Sequence, residues 1–147
     1  MIYFDTAYIA KCYLNEHGSD EVRRLAVREG RIACCEFGRL ELAASIHRNL
    51  RDCVITRAQY RVILKQFDSD EANQIWTWLP VATELLARAA TAFRRLKPDV
   101  YLRSADALHL ACAAEHGFRE IWSDDRRLLD GARRFKIKGR NVIGPIR

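Results

Sequence analysis

The order of predicted elements indicates an α/β fold, a three-layer sandwich in which helices cover both faces of a mostly parallel sheet of four or five strands. Short apolar runs alternate along the chain with longer segments of helical periodicity, and this alternation is typical of a parallel sheet. A length of 147 residues allows a sizeable core and is too short for two domains with a linker. We therefore expect one domain spanning residues 1–147.

The first half of the chain predicts two buried strands, each followed by helices. Short apolar runs at residues 2–4 and 31–35 indicate the strands. Apolar residues three and four positions apart indicate the helices, and Ser19 and Thr56 are suitable N-caps for two of them. The predicted helices are residues 7–14, a segment beginning at 19, residues 36–50, and a segment after 56 that ends in the polar stretch 68–73.

The second half predicts further strands separated by helices. Residues 75–81 alternate in polarity as a short strand does, and Ile121 and Trp122 form another short apolar run. The helix predicted at 102–115 is apolar on nearly every side, so we expect it to be buried. The remaining predicted elements are helices at 82–96 and 126–135 and a fifth strand at 141–143.

Composition and motifs exclude several classes of protein. Hydrophobic residues make up 49% and charged residues 30%, with 7 Gly and 3 Pro, which excludes disordered and low-complexity chains. No apolar run approaches the roughly 18 residues that span a bilayer, and the first residues lack the features of a signal peptide. We therefore expect a cytoplasmic protein with no membrane partner. The five cysteines form no CxxC pair, which predicts reduced core thiols instead of a zinc site or disulfides.

The net charge favours a polyanionic partner such as nucleic acid. Lys and Arg number 25 and Asp and Glu number 19, which gives +6 at pH 7 and a pI of about 9.3. A single basic cluster is more often a solvated surface, so the positions of the acidic residues are more informative. The basic clusters lie at residues 94–97, 126–127 and 133–140.

Two carboxylates fall in apolar helical surroundings. Asp106 lies in LRSADALHLACAA, on a helix with almost no polar face. Glu41 has Phe37 four residues before it and Ala44 three residues after it. An ionised carboxylate in such surroundings costs several kcal/mol unless a cation, a metal ion or several hydrogen-bond donors compensate it. We therefore expect a compensating group beside each of these two acids.

Further carboxylates follow two of the predicted strands. Asp5 comes directly after the first strand, and Asp124 and Asp125 follow the strand at 121–122. Ligands of parallel α/β sheets bind at the carboxyl ends of the strands, so these acids are expected to converge. Converging carboxylates raise one another's pKa, and divalent cations relieve that repulsion. Oxygen ligands without a His or Cys cluster favour Mg²⁺ or Mn²⁺.

Each of these residues also has a purely structural interpretation. His109 lies one turn from Asp106 and is better explained as a packed structural histidine than as a base. For the acids to have no functional role, all of these structural interpretations would have to hold at once, which is a stronger requirement than any one of them. They are Arg103 as the partner of Asp106, Arg39 or Arg48 as the partner of Glu41, and helix capping by Asp5, Ser123, Asp124 or Asp125.

Four segments, in order along nearly the whole chain, resemble the PIN-domain ribonucleases and specifically the VapC-type toxins of bacterial and archaeal toxin–antitoxin pairs. Any one segment is a weak match, whereas the four together at suitable separations are a strong one. The segments are YFDTAYIAKCYLNEHGSDEV, RLELAAS, LRSADALHLACAAEHG and EIWSDDRRLL.

The resemblance assigns roles to individual residues. The acidic quartet of the family falls on Asp5, Glu41, Asp106 and Asp125. Two departures matter. Ala7 stands where the family often has serine, which leaves Thr6 as the only hydroxyl beside Asp5, and Ser123-Asp124-Asp125 replaces the usual Thr-x-Asp. Alignment favours Asp125 as the metal ligand, Asp124 is the alternative, and Ser123 is expected to donate a hydrogen bond behind the ligands.

The activity implied by the resemblance is that of a metal-dependent endoribonuclease. The acids would hold one or two Mg²⁺ or Mn²⁺, with Asp5 and Asp106 as the principal ligands, and a metal-activated water would hydrolyse RNA phosphodiester bonds. Arg126 and Arg127 are the nearest basic residues in sequence and are expected to contact RNA phosphates. The resemblance also implies a homodimer and a cognate antitoxin that blocks the cleft.

Three interpretations rival the nuclease, and the residues argue against the first of them. A receiver-like phosphoacceptor domain also gathers acids around Mg²⁺, but it needs a lysine at a later strand end, and none of the predicted strands ends in lysine. A non-catalytic PIN-like scaffold that binds RNA or protein is the second. An RNA-processing nuclease without an antitoxin is the third, and a neighbouring reading frame for a DNA-binding antitoxin would distinguish it from a toxin.

Overall fold

Five parallel strands form the centre of the fold in the computed structural model, which describes residues 1–144. The strands are β1 (Ile2–Tyr3), β2 (Ile32–Cys35), β3 (Trp76–Leu79), β4 (Glu120–Trp122) and β5 (Lys138–Arg140). They form one sheet in the order β1-β2-β3 and a second sheet of β4 and β5. A parallel β-bridge between Phe4 and Trp122 joins the two, so the spatial order is β3-β2-β1-β4-β5. The predicted parallel α/β fold is confirmed.

The parallel pairing places the carboxyl ends of the strands at one edge. Ile2 lies opposite Ile32, and Ile32 lies opposite Trp76. Next to β1, the backbone N–H of Asp5 donates to the carbonyl of Trp122, the last residue of β4, at 3.1 Å. The segments that follow β1 and β4 are therefore neighbours, and they carry the polar residues Asp5-Thr6 and Ser123-Asp124-Asp125.

Within residues 1–144, seven helices and a short 3₁₀ turn at residues 133–135 connect the strands. Thr56 caps α4 as predicted, in a capping box with Gln59. The expectation that the helix near residue 106 is buried is also confirmed, since every residue from Asp106 to Ala113 is buried. The helices are α1 (Thr6–Tyr13), α2 (Ser19–Glu29), α3 (Phe37–Arg51), α4 (Arg57–Ala72), α5 (Thr83–Phe93), α6 (Ser104–Glu115) and α7 (Arg126–Ala132).

Side chains that alternate along the strands supply two cores, one on each face of the sheet. One core contains Tyr3, Ala33 and Cys35 together with apolar residues of α5, α6 and α7. The other contains Phe4 and Cys34 together with apolar residues of α1, α2 and α3. Helices therefore cover both faces, as the three-layer sandwich requires. No helix within residues 1–144 has both the length and the apolar character needed to cross a bilayer.

Several element boundaries differ from the prediction. The fifth strand is residues 138–140, because Asn141 bends the following segment: its side-chain oxygen accepts hydrogen bonds from the Tyr8 hydroxyl at 2.7 Å and from the Ile143 N–H at 2.8 Å. The α4 helix continues through the polar stretch as far as Ala72, because this helix has no fully buried residue and polar side chains suit its surface. The α5 helix ends at Phe93, three residues before the predicted end.

Three expectations about individual side chains are wrong. Ser19 does not cap α2, because the helix follows Gly18 at φ +81° and the Ser19 hydroxyl donates to the Leu14 carbonyl. In α3, Leu40 is 65% exposed, so the apolar face of this helix is narrower than its sequence indicates. All five cysteines are free thiols, but Cys53 is exposed and does not belong to the core.

Candidate active site

A pocket of about 240 Å³ brings together all four acids that the resemblance singles out. Asp5 comes from the end of β1, Glu41 from α3, Asp106 from α6 and Asp125 from the start of α7. The four acids thus reach one pocket from four separate segments of the chain. The other side chains around them include Thr6, Ser45, Arg48, Arg103, His109 and Leu128.

Asp5 is buried, and two donors hold it. It caps α1 by accepting the Tyr8 N–H at 2.9 Å, and its other oxygen accepts the Ser123 hydroxyl at 2.5 Å. The predicted capping role and the position in the pocket therefore coexist. Burial raises the pKa of Asp5 to about 6, against the opposing effects of Ser123 and Tyr8. Charge repulsion from another acid contributes least, so burial and not crowding dominates, contrary to our expectation from the sequence.

Arg103 joins two of the acids. Its Nε and Nη2 donate to the two carboxylate oxygens of Asp106 at 3.0 and 2.9 Å, and its backbone N–H also donates to Asp106, at 3.0 Å. The same Nη2 donates to Asp125. These contacts, with the bonds to Asp106 foremost, hold the pKa of Arg103 above its ordinary value. The predicted partnership with Asp106 is present, and the bridge to Asp125 is additional.

Ser123 links the two acids that follow strands. Its hydroxyl donates to Asp5 and accepts the Asp125 N–H at 2.9 Å, and the residue is completely buried. Asp125 in turn caps α7 by accepting the Arg127 N–H at 2.8 Å. The hydroxyl therefore sets the spacing between Asp5 and the start of α7.

Glu41 is held by Thr6 and His109. The Thr6 hydroxyl donates to Glu41 Oε2 at 2.6 Å, and His109 Nε2 lies 2.7 Å from the same oxygen. Burial raises the pKa of Glu41, but the bond to His109 and then that to Thr6 outweigh it, so the pKa is lowered overall. The predicted arginine partners are wrong, because Arg39 pairs instead with Glu71 at 2.8 Å.

His109 is both a packed residue and a neighbour of the acids. It is 3% exposed, as expected of a structural histidine, and its Nδ1 lies 3.0 Å from the Tyr3 hydroxyl. Burial lowers the pKa of His109, but bonds to the Cys34 thiol and to Glu41 raise it well above the ordinary value. The sequence signal for this contact is its position three residues after Asp106, on the same side of α6.

Of the remaining predicted site residues, Asp124, Arg126 and Arg127 lie outside the pocket. Asp124 forms an ion pair with the buried Lys11 at 3.1 Å and does not line the pocket. Arg126 and Arg127 occupy the first turn of α7 and line a neighbouring basin. Thr6 does lie in the pocket, but its hydroxyl bonds Glu41 and not Asp5, the acid beside which the sequence places it.

The pocket suits a hard divalent cation in the chemistry of its donors. Four carboxylates provide oxygen ligands without a competing thiolate, which is the set that Mg²⁺ and Mn²⁺ prefer. The distances between the carboxylates suit an ion less well. Within residues 1–144 no three His, Cys, Asp or Glu side chains are grouped closely enough to hold an ion. Asp106 and Asp125 both accept hydrogen bonds from Arg103. An ion bound by all four acids would replace these contacts of Arg103.

Comparisons with known proteins assign the chain to a family. FitAcB from Neisseria gonorrhoeae has a similar structure, with a TM-score of 0.70 and 16% identity over 97% of this chain and 98% of that one. FitAB bound to an IR36 DNA fragment is similar with a TM-score of 0.68 and 14% identity, over 100% and 99%. No curated protein matches. The sequence profile of the PIN domain matches residues 2–134, and the chain therefore belongs to the PIN domain family.

Proposed function

We propose that this protein is a Mg²⁺- or Mn²⁺-dependent endoribonuclease and the toxin of a toxin–antitoxin pair. The observation that supports this most strongly is the convergence of four carboxylates, from four segments, in one pocket at the carboxyl edge of a parallel sheet. PIN domains are generally metal-dependent nucleases, and this chain retains an acid at all four positions that its resemblance to the family identifies.

The proposed ligands are the four pocket acids. Asp5 and Asp106 are the principal ligands in this proposal, because they are the most deeply buried and gain most from a cation. Glu41 and Asp125 hold a second ion or orient water. Asp124 is left out, because Lys11 already neutralises it. A bound Mg²⁺ or Mn²⁺ lowers the pKa of a water molecule and neutralises charge on the phosphate in the transition state.

The residues around the acids act as positioning residues in this proposal. Ser123 fixes one oxygen of Asp5, and Thr6 and His109 fix one oxygen of Glu41. Hydrogen bonds of this kind orient ligating oxygens before an ion arrives and reduce the cost of ordering them. Arg103 neutralises Asp106 and Asp125 until an ion replaces it, and it then lies beside the pocket as a cation for an RNA phosphate.

The proposal also includes partners and a location. The resemblance to VapC-type toxins implies a cognate antitoxin and a homodimer, and one of the similar structures is FitAB bound to a DNA fragment. An RNA substrate places the activity in the cytoplasm. The net charge of +6 also supports an RNA substrate, because basic residues outside the acidic pocket can neutralise its phosphates.

A non-catalytic PIN-like scaffold is the second candidate, and one observation favours it. Arg103 pairs with two of the four acids, which is how a site that holds no metal can keep buried carboxylates neutralised. The two candidates differ in what Mn²⁺ does to the protein. A nuclease binds Mn²⁺ in the pocket. The scaffold keeps its internal ion pairs and does not bind Mn²⁺ there.

The deciding experiment is cleavage of total cellular RNA and of a labelled single-stranded RNA by the purified protein in Mg²⁺ or Mn²⁺. We expect cleavage that EDTA abolishes and that is lost in Asp5→Asn protein. Asp68→Asn is the matched control, because it removes the same charge from the exposed surface of α4. Cleavage that persists in EDTA or in Asp5→Asn would refute the proposed chemistry. Absence of both cleavage and Mn²⁺ binding would establish the scaffold.

A further inference from the structure

Tyr101 is the most exposed aromatic residue among the large apolar side chains of the surface, at 78%. It lies between α5 and α6, next to Leu102, whose side chain packs on the core at Gly131 of α7. Exposing a large ring to water forgoes the favourable free energy of burying it. The neighbouring anchor holds the backbone in place beside the exposed ring.

The ring borders a basin of about 660 Å³, a volume within the range of ligand sites. The basin contains four arginines and two aspartates, and none of these arginines forms an ion pair within the part of the chain that the structure describes. Four arginines against two aspartates leave the basin with a net positive charge. The lining side chains are those of Asp99, Val100, Tyr101, Arg126, Arg127, Leu129, Asp130, Arg133 and Arg134.

The basin adjoins the carboxylate pocket along the chain. Asp125 lines the pocket and Arg126, the next residue, lines the basin. On the other side, Arg103 lines the pocket and Tyr101 lines the basin, and two residues span at most about 7 Å. One polynucleotide can therefore contact both regions at once, since consecutive nucleotides are a comparable distance apart.

We infer that the basin binds an unpaired nucleotide of single-stranded RNA next to the bond placed in the carboxylate pocket, an inference that rests on the proposed function. The Tyr101 ring stacks on the base, and the arginines contact the flanking phosphates. Stacking on an aromatic side chain needs a base that has left the helix, so duplex RNA does not fit. An acidic protein segment satisfies the arginines but gives the exposed ring no planar partner, which is why RNA is favoured.

The first test is RNA binding in EDTA, where no metal-dependent cleavage interferes. The probe is a fluorescein-labelled single-stranded 12-mer, and the variants are Tyr101→Ala and Tyr101→Phe. Because a stacked base contributes strongly to affinity, Tyr101→Ala should weaken binding by about five-fold or more. Tyr101→Phe keeps the ring and should stay within about two-fold. Equal Kd values for wild type and Tyr101→Ala would overturn the inference, whether or not the protein cleaves RNA.

The second test concerns the arginines. Arg133→Gln combined with Arg134→Gln should reduce the slope of log Kd against log salt by about 1.4, the value for two phosphate contacts on a single strand. Arg57→Gln combined with Arg61→Gln on the exposed surface of α4 removes the same charge and should leave the slope unchanged. Equal effects of the two pairs would show a general charge effect and would overturn the assignment of the basin.

Two further arms separate this inference from the proposed function. Duplex RNA and polyglutamate are tested against the same Tyr101 variants, and an equal loss with either of them would overturn stacking on an unpaired base. If Tyr101→Ala weakens binding of the single strand but no condition yields cleavage, the nucleotide site stands and the proposed nuclease fails. If cleavage occurs and Tyr101→Ala binds normally, the nuclease stands and the nucleotide site fails.

Discussion

The carboxylate pocket and the arginine basin lie on the two sides of the start of α7, and they are built in opposite ways. In the pocket each acid is held by a neighbouring side chain: Ser123 holds Asp5, Arg103 holds Asp106 and Asp125, and Thr6 and His109 hold Glu41. In the basin, within residues 1–144, the arginines form no ion pair, although two aspartates also line it. Groups that act on a reacting phosphate need fixed positions, whereas groups that bind a flexible polyanion need free charge. The difference fits the proposed chemistry in the pocket and the inferred binding of RNA in the basin.

Removing the charge of a pocket acid should have the largest effect. Asp106→Asn should lower the rate of RNA cleavage by at least about 1,000-fold, because stabilisation of transition-state charge by a metal is worth several kcal/mol. Cleavage rates at saturating Mn²⁺, with Asp68→Asn as the control, provide the measurement. A rate within ten-fold of wild type would remove Asp106 from the reacting centre and weaken the contrast between the two regions.

The pH dependence of stability tests the burial of Asp5. Its pKa of about 6 in the folded state lies above the ordinary 3.8, so between these values the folded protein binds more protons than the unfolded chain. The unfolding free energy contributed by Asp5 therefore falls as pH rises from about 4 to 6, by up to about 3 kcal/mol. Urea unfolding in EDTA should show this loss in wild type and not in Asp5→Asn, which becomes the more stable protein above pH 6. Parallel curves for the two proteins would contradict the prediction.

Arg103 tests whether the pocket is held together without a metal. Arg103→Gln leaves the buried carboxylate of Asp106 without its cation, so the unfolding free energy in EDTA should fall by about 1–3 kcal/mol. Mn²⁺ should restore the lost stability, because it supplies the missing positive charge. Thermal unfolding with and without Mn²⁺ is the measurement, and Arg24→Gln on exposed α2 serves as control. A variant that Mn²⁺ does not rescue would favour the scaffold.

Asp124 provides the smallest expected effect. It lies outside the pocket, so Asp124→Asn should change cleavage by less than about three-fold. Because the buried Lys11 keeps its second ion pair, with Glu16 at 3.4 Å, the loss of stability should be about 1 kcal/mol. Asp125→Asn, one residue later, should lose most of its activity. Comparing the cleavage rates of these two variants decides which acid serves the pocket, and equal losses would show that both do.

Much of this arrangement could be predicted from the sequence. An acid that follows an apolar strand must lie at the carboxyl edge of a parallel sheet, and this placed Asp5 and the pair Asp124-Asp125. The family resemblance favoured Asp125, which is the one of the pair that lines the pocket. An acid on a helix without a polar face must meet a compensating group, and this identified Asp106. These inferences succeed because local periodicity determines strand ends and helix faces.

Other features depend on contacts between distant segments. Arg103 reaches Asp125 and Thr6 reaches Glu41 only because packing brings their elements together, and no local pattern specifies those distances. The sequence also predicts that the side of α3 around Glu41 is apolar and buried, but part of this helix face is exposed, as Leu40 shows. The fifth strand, Lys138–Arg140, has no β-forming composition and exists because β4 offers it a parallel neighbour.

The contact between Phe4 and Trp122 has a consequence for how the protein is made. It joins the first strand to a strand near the end of the chain, and the Ser123 hydroxyl that orients Asp5 is 118 residues away from it. Synthesis proceeds from the N-terminus at about 5–20 residues per second, so for several seconds the ribosome carries Asp5 and Glu41 without the other half of the pocket. For the proposed nuclease, a nascent chain is therefore harmless to the messenger from which it is translated until the segment that carries Asp106, Ser123 and Asp125 has been synthesised.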